Sequence, residues 1–116
     1  MGTILPFPQK DAGGQQQQTG FTRFELNRIV DLYGRMVSAG LWKDYAIAFE
    51  PGAAAFWAFR RTAENPEVKI EKRPALRNRQ GMWSLVNEAG VVLKRGHELA
   101  PVLAPLERRL MKLVDK

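Results

Sequence analysis

Two segments of helical periodicity enclose a stretch, residues 44 to 95, in which the hydrophobic period falls to two and turn residues recur. That order constrains the fold more than any other feature. The runs YAIAFE, AAFWAFRR and EVKIEKR are separated by PGA and TAENP, and a second group, Met82 to Asn87 and Val91 to Arg95, flanks the turn at Glu88, Ala89 and Gly90. Val68 and Ile70 alternate with Lys69, Glu71 and Arg73, the pattern of a sheet buried on one face and wet on the other. The expected fold class is therefore α+β: an N-terminal helix, a four- or five-stranded antiparallel meander, and a C-terminal helix packed on the sheet.

The helices carry their own punctuation. Thr22 and Glu25 have the spacing of a capping box, and Phe21 and Leu26 fall where a hydrophobic staple sits. Leu26, Ile29, Val30, Tyr33, Met36 and Val37 recur at three- and four-residue steps until Gly40 and Leu41, which read as a left-handed C-cap with its apolar contact, so the first helix spans 23 to 39. At the far end Leu99, Leu103, Leu106, Leu110 and Leu113 form one stripe. Pro101 fits a first turn, whereas Pro105 removes a backbone donor and predicts a kink or a late helix start.

Residues 1 to 20, with two prolines, a Gly pair and four consecutive glutamines, are too poor in apolar side chains to offset chain entropy and are expected to be a disordered tail. Residues 21 to 116 then form one domain. Pro6 and Pro8 interrupt the apolar run that a secretory signal needs, so no targeting segment is expected. No apolar run approaches the roughly 20 residues that span a bilayer. With no cysteine and one histidine, the chain is expected to hold no disulfide, metal or other cofactor and to suit a reducing cytoplasm.

Catalytic signatures are missing as well. Neither Ser38 nor Ser84 lies in a nucleophile elbow, and the chain contains no Gly-Lys pair for a phosphate loop. Carboxylate spacing does not argue for acid–base work, and a non-enzyme is expected.

Charge is more informative. Against 18 Lys plus Arg the chain sets 12 Asp plus Glu, a net +6, and residues 60 to 95 hold nine of the bases with four acids (Glu64, Glu67, Glu71, Glu88). In a meander successive connections alternate between the ends of the sheet. The loop PALRNRQG and the strand exit KRGH then share one end, which gathers Lys72, Arg73, Arg77, Arg79, Lys94 and Arg95; the other end balances Arg60 and Arg61 with Glu64, Glu67 and Glu88. Gly96 and His97 lead into the second helix at the basic end, where the positive end of a helix dipole favours an anion. These six bases are the candidate anion- or nucleic-acid-binding residues.

Phe56 and Trp57 are adjacent in a strand and face opposite sides of the sheet, as do Trp83 and its neighbours, so at least one large ring is expected to face outward. Such a ring can stack on a base or be covered by a second subunit. Two functional classes follow: a non-catalytic domain that contacts nucleic acid or another polyanion through the basic end, and a protein-interaction or homodimerisation module. The expected partners are accordingly nucleic acid, an acidic protein or a second copy of the chain, and not a membrane.

The segments FTRFELNRIVDLYGRMVSAGLWKDYAI, IEKRPALRNRQG and VLKRGHEL resemble a family of small, uncharacterised alphaproteobacterial proteins, a domain of unknown function, over residues 21 to 114. The resemblance implies a bacterial, cytosolic origin and brings no activity or functional residue with it.

Overall fold

A reciprocal capping box starts the first helix, α1 (Arg23–Ser38): the Glu25 amide donates to the Thr22 hydroxyl and the Thr22 amide to the Glu25 carboxylate. It ends as the glycine predicts, with Gly40 at φ 82°, the Leu41 amide reaching the Met36 carbonyl and the Gly40 amide that of Val37. The computed structural model describes residues 19–62 and 64–114. After α1 come β1 (Asp44–Glu50), β2 (Ala53–Phe59), β3 (Val68–Lys72), a 3₁₀ turn (Pro74–Leu76), β4 (Trp83–Asn87), β5 (Val92–Gly96) and α2 (Leu99–Val114).

The five strands form one antiparallel sheet in sequence order, with Ile47 opposite Phe56, Phe56 opposite Ile70, and Ile70 opposite Leu85. Directly opposite residues share a face, so this row fixes the buried side of the sheet. Both helices cover that side: Ile29, Leu32 and Met36 of α1 and Val102, Leu103, Leu106 and Leu110 of α2 join Phe56, Val68, Ile70, Trp83 and Leu85 in one core. Val30 and Val37, part of the same heptad-like recurrence, lie on the outward side of α1. Leu113 is exposed too, one turn beyond Arg109, which already meets Glu67 at the start of β3. Pro105 lies inside α2, and the helix begins at Leu99, so the late start does not occur.

The helices run in the same direction. Glu25 near the start of α1 bonds Lys72 at the end of β3, and α2 starts beyond Gly96, which pairs with Trp83 beside Lys72. At the opposite end the Trp42 indole N–H donates to Glu67 at 2.7 Å, and Glu67 also takes Arg109 of α2 at 2.9 Å. Between the helices Glu107 faces both Arg28 and Arg35.

Most of the expected tail, residues 1–18, lies outside the described residues. Thr19 and Gly20 do not belong to a tail: the Thr19 amide donates to the Glu50 carbonyl, the Gly52 amide donates to the Thr19 hydroxyl, and Lys72 donates to the Gly20 carbonyl.

Tyr33 sits among Trp42, Tyr45 and Phe56, with ring centroids 5.1 to 6.0 Å away. Burial raises its phenol above the ordinary 10.0, and Asp44 and Tyr45 add to the rise. The folded state therefore holds this proton more tightly than the unfolded chain. Its contribution to stability is intact below the ordinary tyrosine value and is lost as pH climbs through the raised one. Urea midpoints measured at rising alkaline pH should fall less steeply for Tyr33→Phe than for the wild type; equal slopes would show that Tyr33 does not carry the effect.

Candidate anion-binding site

The site is built on the end of the sheet where both helices begin. Its main loop, residues 73 to 82, is closed by the Arg73 amide on the Met82 carbonyl and by amides of Arg79 and Gly81 on the Leu76 carbonyl. Two contacts fix it to the junction between β5 and α2. Gly81, at φ 96°, lies so close to that junction that an added Cβ would stand 2.4 Å from the Gly96 carbonyl group. The second contact joins His97 Nδ1 to the Arg77 carbonyl at 3.1 Å. A carbonyl only accepts, so Nδ1 carries the proton.

The loop and residues 94 to 97 therefore share one end of the sheet, but the six bases do not form a single surface there. Lys72 is a correction. It is 8% exposed, its ammonium lies 2.7 Å from Glu25 and 3.0 Å from the Gly20 carbonyl, and it sits 5.8 Å from the centre of the Trp83 ring. Period-two alternation turns its side chain toward the helices, since Lys72 pairs with Ala54 and Trp83 on the covered face. Arg73 has the opposite parity and pairs with Glu71 at 3.0 Å. Lys94 shares the side of Leu85 and Arg95 that of Ser84, so the two leave β5 on opposite sides of the sheet.

Arg77, Arg79, Lys94 and Arg95 are all exposed, and among the described residues none has a carboxylate partner within 4.0 Å. Arg23, the first residue of α1, is exposed at the same end and belongs with them. A count confined to residues 60 to 95 omits it; the capping box that places the helix start beside β3 is the signal that includes it. Glu98 is the acid of the junction. The other end differs, with Arg60 on Glu88, Arg61 on Glu64 and Arg109 on Glu67.

With both helix starts at the basic end, their dipoles add to its positive potential. The arrangement can attract and hold an anion; the only histidine is committed to a backbone carbonyl, and the described residues contain no group of acids and histidines able to hold a metal ion.

A family model described as a protein of unknown function, DUF2794, matches residues 19–103. The chain belongs to that family. None of the curated proteins and none of the solved structures matches it. The DUF2794 match begins at Thr19, whose amide is tied to the sheet at Glu50, and ends within α2 at Leu103, so it takes in the whole basic end. It brings no residue roles, and the chemistry rests on the geometry above.

Two substitutions separate structure from binding. Lys72→Ala strands Glu25 and empties a space against Trp83, which should cost about 2 to 4 kcal/mol, seen as a lower urea midpoint. Gly81→Ala should destabilise by about 1 kcal/mol or more, because the backbone contact leaves no room for a methyl and φ is positive. Unchanged midpoints for both would contradict these packing assignments.

Proposed function

We propose that the protein is a small non-catalytic binding domain that contacts nucleic acid or another polyanion through the basic end of its sheet. The observation that carries this reading is the placement of Arg77, Arg79, Lys94 and Arg95, exposed and unpaired among the described residues, on a loop and strand exit locked together by Gly81 and His97. A tied loop presents its guanidinium groups at little cost in ordering entropy, and the two forks of Arg77 and Arg79, two positions apart, can share one phosphate or grip successive ones. Solubility alone is served equally well by charges scattered over the surface. Here Arg77, Arg79, Lys94 and Arg95 have no acid partner among the described residues and Lys72 and Arg73 are paired, whereas at the opposite end Arg60, Arg61 and Arg109 are paired and Lys43 and Lys112 are not. The cysteine-free composition suits a cytoplasmic setting.

A protein-interaction module is the second reading, favoured by the sheet face that the helices leave open, on which Trp57 and Phe59 lie. A nuclease-treated pull-down distinguishes the two, since a nucleic-acid contact disappears on digestion and a protein contact survives.

Fluorescence anisotropy with a labelled oligonucleotide, measured across salt concentrations, tests the first reading. Four phosphate contacts give a slope of log K against log[salt] of about −3 to −4. Replacing Arg77 and Arg79 with Ala should lower its magnitude by nearly two and weaken binding strongly, while the Tm stays within about 2 °C, because exposed charges contribute little to stability. A slope unaffected by the double substitution, or no binding at low salt, would remove this reading.

A further inference from the structure

Along β2 the face of the sheet turned from the helices reads Ala53, Ala55, Trp57, Phe59: two small side chains, 6 and 7% exposed between their taller neighbours, followed by two large half-buried ones. The neighbouring strands continue it with Ala46 and Ala48 on β1, Lys69 and Glu71 on β3, and Ser84 and Val86 on β4. Both helices pack on the other side. We infer that this face is the interface of a two-fold symmetric dimer, occupied by a second copy of the chain.

The face is complementary to itself. A two-fold axis lying across the strands, between Ala55 and Trp57, sets each Trp57 over the partner's Ala55 and each Phe59 over the partner's Ala53. Because Trp57 pairs with Lys69 and Ala55 with Glu71, the same axis places Lys69 over the partner's Glu71. Large rings meet small residues and cations meet anions in one operation, as facing sheets about 10 Å apart require. Other axes fail. Moving the axis between Trp57 and Phe59 stacks ring upon ring, and turning it along β3 sets Lys69 on Lys69 and Glu71 on Glu71. Asp44 and Glu50 approach each other only at the rim of β1, where water screens them.

Charge also decides against nucleic acid on this face. Lys69 and Arg73 share Glu71, at 3.6 and 3.0 Å, and Asp44 and Glu50 on β1 offset the remaining positive charge of this face, Arg95 included, so it offers no net positive platform. Five strands spaced about 4.8 Å apart, each contributing about 20 Å of length, give a footprint of about 400 Å², before the relief of the side chains is counted. Two such faces bury about 800 Å² in total, below the range of stable specific interfaces, so the dimer is expected to be weak. The inference rests on the register of the sheet and not on the basic end, although Arg95, on the side of Ser84, borders this face.

Sedimentation velocity of the full chain from about 1 to about 200 μM is the test, with circular dichroism to verify folding. The wild type should pass from monomer to dimer within that range. Ala55→Trp puts ring against ring and should weaken the dimer at least tenfold, and the exchanged pair Ala55→Trp with Trp57→Ala, which restores large over small, should recover most of the loss. Should either variant fail to fold, Trp57→Ala alone is measured and should also weaken association about tenfold. A wild type that stays monomeric throughout overturns the inference, as does a dimer indifferent to Ala55→Trp and Trp57→Ala. A monomer whose Trp57 fluorescence is quenched by single-stranded RNA overturns it in favour of a nucleic-acid face.

Discussion

The Lys72–Glu25 pair joins more of the molecule than any other contact. Glu25 completes the cap of α1, Lys72 ends β3, and the same ammonium takes the Gly20 carbonyl and lies against the Trp83 ring. Phe21, at the entry to α1, stacks on Trp83 and meets Phe49 edge-on, each with centroids 6.1 Å apart. One ion pair thereby sets the position of the first helix over the sheet, holds the incoming chain against β1, and orients the end on which the loop and both helix starts are assembled. A buried pair of this kind contributes little through charge alone; its value is that neither partner can leave without exposing the other to an apolar surrounding.

Much of the architecture is legible in the sequence because local rules and tertiary packing agree. Thr22 and Glu25 announce α1, Gly40 ends it, and period-two runs mark all five strands. The site was legible in part. Strand parity placed the 73–82 loop and residues 94–97 at one end, since a meander permits nothing else. What parity within a strand also says, that Lys72 must point the opposite way from Arg73, is outweighed in a charge count by the expectation that lysine seeks water. Only the partner 47 residues earlier, Glu25, makes burial tolerable, and no local pattern links the two. The bond from Trp42 to Glu67 is illegible for the same reason.

The two sides of the sheet solve different problems. The covered side is filled by Phe56, Ile70, Trp83 and Leu85, large residues that two helices enclose. The open side sets Ala53 and Ala55 before Trp57 and Phe59 on β2, beside a short row of charges on β3. At the margin, Val91 and the first residues of β5, Val92 and Leu93, are exposed. The pairing of Leu85 with Lys94 and Val86 with Val92 leaves Leu93 as an extra residue, and such a bulge, followed by Lys94 and Arg95, discourages edge-to-edge growth.

Every strand of the sheet pairs with its neighbour in the chain. Loop closure within the sheet is therefore inexpensive, and β1 to β5 can be laid down in the order in which they are synthesised. The helices obey a different clock. α1 emerges first yet has no platform until β3 delivers Lys72, and α2 closes the core last. Between Glu25 and Lys72 the growing chain thus carries an amphipathic helix waiting for its seat, and that is the interval in which a nascent chain of this topology is most open to chaperones and to misdocking.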